Sequence, residues 1–178
     1  MDVAQALLGL AHLAWQRERY DEALVHAGEV TRTLAGWTGP PPQPRVMLRA
    51  SVAVLYLRVA EARGASGTDA AAQAATLLAL ARDDALNSKD LPVIGAWASG
   101  GADLAAYRDD VATTRELSAL AKRLGTHMEL FFPSGRSERL DAALGDEEQR
   151  ESLLAAWRAR PVAAAVARVR ELMEDLLA

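Results

Sequence analysis

The chain has 178 residues, of which 51% are hydrophobic but only 5% aromatic, with no cysteine and a formal net charge of −4. That length suits one domain with its own core, and apolar content made of alanine, leucine and valine suits closely packed helices. The acidic balance argues against direct nucleic-acid binding, and the lack of cysteine excludes disulfides and thiolate chemistry; with no apolar run of ~18 residues and no leader pattern, a cytoplasmic protein without membrane contact is expected.

From the N-terminus, Leu7, Leu8, Ala11 and Ala14 recur at helical spacing. Arg17-Glu18-Arg19-Tyr20 interrupts them, and Ala23, Leu24, Ala27 and Val30 begin a second stripe. This predicts a helical hairpin over about residues 2–36. Trp37 to Pro44 (WTGPPPQP) reads as an extended linker or inserted loop, because its three successive prolines cannot donate backbone hydrogen bonds. A second hairpin, over about 45–86, joins a helix from Val46 to Arg63, closed by Gly64, to one capped by Thr68 or Asp69 and ending near Leu86.

The third hairpin spans about 90–125. Asp90 is placed to cap its first helix, with Pro92 in the first turn, where a missing N–H costs nothing, and Ile94, Trp97, Leu104 and Tyr107 follow. Arg108-Asp109-Asp110-Val111 turns the chain; Asp110 caps the next helix, and Gly125 ends it. His127 to Arg136 is expected to be a loop whose Leu130, Phe131 and Phe132 plug the end of the core. Residues 137–178 predict capping helices: Ser137 to Leu144, one opened by an Asp146–Gln149 capping box and carrying Leu153, Leu154 and Trp157, and a last one after Pro161. In the last, Val162, Val166, Val169, Met173 and Leu176 form a packed stripe opposite a solvated face with Arg168, Glu171 and Asp175.

Candidate chemistry is sparse. His12 and His26 lie on the two helices of one hairpin and could face each other, but no third metal ligand or H-E-x-x-H spacing accompanies them. Asp83-Asp84 and Asp109-Asp110 sit at helix ends and read as caps and solvated groups. Ser134 lacks the strand and G-x-S-x-G setting of a nucleophile. Arg158, Arg160, Arg168 and Arg170 are interspersed with acids and read as a mixed surface. No cofactor, metal or catalytic residue is expected.

The segments around Tyr20 and Val111 follow one template. Leu7, Leu10, Ala11 and Ala14, then Tyr20, Ala23, Ala27 and Val30, match Ala98, Gly101, Ala102 and Ala105, then Val111, Thr114, Ser118 and Ala121. The pattern resembles the tetratricopeptide repeat. The stretch Asp90-Leu91-Pro92-Val93, Gly101-Ala102-Asp103-Leu104-Ala105, the Arg108-Asp109-Asp110 turn, and then Leu140, Leu144-Gly145, Trp157 and Ala163 to Leu172 further resembles the C-terminal tetratricopeptide region of large actinobacterial transcriptional regulators. Those proteins carry DNA-binding and ATPase modules upstream; neither a DNA-reading helix-turn-helix nor a G-x-x-x-x-G-K-[ST] loop occurs in this sequence.

The resemblance implies one all-α domain over 1–178, a tetratricopeptide-like α-solenoid of antiparallel helical hairpins with non-repeat C-terminal capping helices. It implies a non-catalytic interaction or regulatory module whose partner is a protein, a peptide or another domain of a larger regulator. The alternative is a helical-repeat sensor for a small apolar ligand or a signalling peptide. Carrying the groove phase of such arrays onto this chain selects His12, Trp15 and Gln16 on the first hairpin, Ser99, Asp103 and Tyr107 on the third, and Arg49 and Tyr56 on the middle one, whose register the sequence leaves open.

Overall fold

A computed structural model describes residues 2–37, 41–126 and 137–178, and among these every regular element is a helix. In chain order they are α1 (Asp2–Gln16), α2 (Tyr20–Ala35), α3 (Pro42–Arg63), a 3-10 turn (Gly64–Gly67), α4 (Thr68–Ser88), α5 (Leu91–Tyr107), α6 (Val111–Arg123), α7 (Glu138–Leu144), α8 (Glu147–Arg158) and α9 (Val162–Leu177). The expected plug, Leu130, Phe131 and Phe132, and Ser134 lie outside the described residues.

Several boundaries differ from the sequence reading, each for a local reason. Pro42 and Pro44 are not linker but lie in the first turn of α3, where the backbone N–H groups have no intrahelical acceptor to lose. Thr68 begins α4 without a side-chain capping bond, and the N-cap is Gly67. Asp90 is the N-cap of α5, yet its side chain makes no capping bond; its carbonyl accepts from Val93 and Ile94 instead. Genuine side-chain caps occur where Asp110 accepts from the Thr113 N–H (3.1 Å), Ser137 from Leu140 (3.0 Å) and Asp146 from Gln149 (2.8 Å).

The first and third hairpins share one turn. In the first, the Arg17 N–H donates to the Leu13 and Ala14 carbonyls, Glu18 to Trp15 and Arg19 back to Ala14. In the third, Arg108 donates to Leu104 and Ala105, Asp109 to Ala106 and Asp110 to Ala105. Glu18 and Asp109 both take φ of 59°, a left-handed conformation that closes a helix end. The middle hairpin also places a positive-φ residue, Gly64, straight after an arginine, Arg63, before its longer turn.

Helices α1, α3 and α5 are the first members of three antiparallel pairs, α1 with α2, α3 with α4 and α5 with α6. Helix α3 also packs on α1, α2 and α5, and α5 on α4, α7 and α9. The two central helices are therefore buried nearly all round. Every residue of α3 from Ala50 to Ala60 is buried, as is all of α5 from Val93 to Ala106 except Ser99. Small residues make this possible: a Cβ at Gly100 would run into Leu78, and one at Gly101 into the Met173 sulfur and Leu117. The Trp97 indole N–H, fully buried, is satisfied by the Leu78 carbonyl at 2.8 Å.

In α9, Ala165, Val169, Leu172, Met173 and Leu176 are buried against this core, with Val162 and Val166 half-buried. Its opposite face is not simply solvated. Arg168 makes two bonds to Glu116 of α6, at 2.9 and 3.0 Å, and a third to Glu171. Asp84, expected to be a solvated helix-end group, accepts from both Arg45 and Arg49, at 2.6 and 2.8 Å, and ties α4 to α3.

Candidate functional site

Counting back from the arginine that opens each turn, Arg17, Arg63 or Arg108, puts His12, Arg58 and Asp103 at one position of α1, α3 and α5. The structure brings these three together. Arg58 Nη2 donates to Asp103 Oδ1 at 2.9 Å, with both side chains buried, and Arg58 Nη1 lies 3.5 Å from Glu61. An Arg–Asp pair removed from water holds its geometry strongly, because parting it strands a charge in an apolar setting. Burial holds the His12 imidazole below its usual pKa of 6.5, and the neighbouring Arg58 guanidinium adds to this.

Around this line the other expected residues fall into two groups. Ser99, Asp103 and Tyr107, at four-residue spacing, share one face of α5, with Ser99 and Tyr107 half-buried. Trp15 is half-buried, its ring centroid 6.3 Å from that of His12 in an edge-to-face arrangement, and Gln16 beside it is exposed. Arg139 closes the far end, stacking 5.5 Å from the Tyr107 ring centroid and donating to the Tyr107 carbonyl at 3.0 Å. Below it, burial raises the Glu61 carboxyl above its ordinary pKa against the pull of Arg58 and a hydrogen bond from Ser137.

Arg49 and Tyr56 do not join this face. They lie nine and two residues from Arg58, which is ~160–180° around the helix. Arg49 instead bonds the Leu80 carbonyl and Asp84 of α4, both at 2.8 Å, and Tyr56 is buried, its hydroxyl in contact with Thr31 of α2. The register of α3, open in the sequence, thus places Arg58 on this face and Arg49 and Tyr56 on the opposite side. The residue missed was Arg58, and its signal was present: a lone arginine within VAVLYLRVA can be buried only with a counter-charge, as can the lone aspartate within SGGADLAAY.

The centre of the arrangement is the buried Arg58–Asp103 pair. His26 turns to Glu22 and Glu29 on its own helix. Among the described residues no three His, Cys, Asp or Glu side chains are grouped to hold a metal ion, and no helix is long and apolar enough to cross a membrane. No protein-family model matches the chain, and comparison with curated proteins and with solved structures gives no match.

Proposed function

We propose that this chain is a non-catalytic helical-repeat module that receives a protein or peptide partner on the face shared by α1, α3 and α5. The observation that carries the reading is the recurrence of one helical phase in three successive hairpins, which sets His12, Arg58 and Asp103 in line across neighbouring helices. Stacked hairpins of this kind present their first helices as one extended surface. The reading extends to a tetratricopeptide-like solenoid, and the sequence resemblance to regulator C-terminal regions makes a regulatory role in transcription its natural setting. The buried Arg58–Asp103 pair serves as the floor, so contact falls to the accessible groups at either end: Trp15 and Gln16 on one side, Ser99 and Tyr107 on the other. Trp and Tyr combine large apolar area with a polar tip, the composition of binding hot spots.

Selection from a random-peptide display library tests this. Selected peptides should compete with one another, and Trp15→Ala or Tyr107→Ala should weaken them by ~1 kcal/mol or more while circular dichroism shows that the fold persists. Peptides indifferent to both substitutions would remove the face from consideration. A melting temperature raised by small apolar molecules and not by peptides would favour the sensor reading.

A further inference from the structure

The register that superposes the three turns also exposes a difference between them. On the side of α1 away from α2 and α3 lie Val3, Ala6, Gly9, Leu10 and Leu13. Val3, Leu10 and Leu13 are 65%, 48% and 40% exposed, and a Cβ at Gly9 would meet nothing within 4 Å. In α3 the same positions are Arg49, Val52, Leu55, Tyr56 and Val59. In α5 they are Ile94, Trp97, Gly100, Gly101 and Leu104.

Both sets are covered. Val52, Leu55, Val59, Trp97 and Leu104 are at most 1% exposed. Part of the cover comes from the preceding hairpin, α2 reaching Tyr56 through Thr31 and α4 sitting over Gly100 and Trp97 through Leu78; Arg49 is covered by α4 of its own hairpin, and Gly101 by Leu117 of α6 and Met173 of α9. The arginine at the head of each turn joins in. Arg63 pairs with Asp21 in the first turn of α2 at 2.5 Å, and Arg108 donates to the Leu176 carbonyl of α9. Arg17, the counterpart on α1, is exposed and makes no side-chain hydrogen bond or ion pair among the described residues.

We infer that the Val3–Ala6–Leu10–Leu13 face of α1 is a docking surface for an amphipathic helix of a partner protein, which lies on α1 as α2 lies on α3. Its occupant is specified by the covered copies. It presents alanine- and leucine-sized residues to the Ala6–Gly9 notch and carries an acid in its first turn that pairs with Arg17, as Asp21 pairs with Arg63. This surface lies beside the face proposed above to receive a peptide and meets it at Gln16.

The probe is a helix-constrained synthetic peptide with the sequence of α2, Arg19 to Gly36, titrated into the full chain by fluorescence anisotropy. The expected result is saturable binding that Leu10→Glu weakens by about tenfold or more, a loss of ~1.4 kcal/mol. Arg17→Glu should weaken it and a peptide carrying Asp21→Lys should restore it, which a merely sticky apolar patch would not reproduce. Because Leu10 and Arg17 are exposed, neither variant removes a core contact, and unchanged circular dichroism checks the fold. The inference is overturned by absence of binding, by binding indifferent to Leu10→Glu, or by amide protection appearing on α3 in place of α1. It is also overturned by a self-association in sedimentation that Leu10→Glu abolishes, since the occupant would then be a second copy of this chain.

Discussion

The first and third hairpins have the same turn, a positive-φ residue at the same position and the same placement of small residues between their helices, yet one is a rim and the other is the middle of the molecule. Helix α5 meets α3, α4, α6, α7 and α9, whereas α1 meets α2 and α3. The difference is written into individual positions: Gly101 lies where helices crowd, and Leu10, its counterpart, stands in the open. Hairpin geometry is thus set locally, by the turn, and residue size by what is stacked on top.

The sharpest way to break that comparison is the charged residue on the common face. Arg58→Ala leaves Asp103 buried without its cation and should cost about 3–5 kcal/mol in urea denaturation. Arg58→Met combined with Asp103→Leu should recover most of that loss. His12→Ala, on the rim, should cost under ~1 kcal/mol. An Arg58→Ala protein as stable as wild type would show that the pair does not hold α3 to α5.

Glycine substitutions sharpen it next. Gly100→Val drives a side chain into Leu78 and should destabilise by about 1–3 kcal/mol. Gly9→Ala, at the matching position but in open space, should stabilise by about 0.5–1 kcal/mol, since only the entropy of a mid-helix glycine is removed. The helix caps give a smaller contrast. Asp110 caps α6, and Asp110→Ala should cost about 1 kcal/mol; Arg19, its counterpart before α2, makes no side-chain cap, so Arg19→Asp should add about 0.5 kcal/mol.

The smallest effect is pH dependence at His12. Its pKa in the folded chain lies below the usual 6.5, so as pH falls the unfolded chain takes up the proton first. Stability from this group is complete above pH 6.5 and declines below it. Between about pH 7.5 and pH 5.5 the wild-type melting temperature should fall more than that of His12→Gln. Equal slopes would show that His12 titrates as an ordinary surface imidazole.

Helices, hairpin pairing and the caps at Asp110 and Asp146 were legible in the sequence, because stripes, turn residues and capping residues act over a few positions; Ser137 read as the first residue of its helix and is its cap. The start of α3 was not, since Pro42 and Pro44 look like linker until their place in a first turn is known. Nor was the middle register, because α3 is apolar on every side and offers no stripe to orient it. The same burial hid Tyr56 and turned Arg49 toward α4. What could orient α3 was its lone Arg58, or equally the arginine at the head of each turn.

The one-sided attachment of α1 and α2 has a consequence for motion. Among the described residues the first hairpin packs on the rest of the molecule mainly through α3, with Arg63–Asp21 on the surface and Tyr56–Thr31 beneath, while α5 and α6 are held between α3, α4, α7, α8 and α9. A unit held on one side can open without unfolding its neighbours. Amides of α1 and α2 should exchange with deuterium at rates set by detachment of that hairpin, ahead of those in α5, which wait for global unfolding.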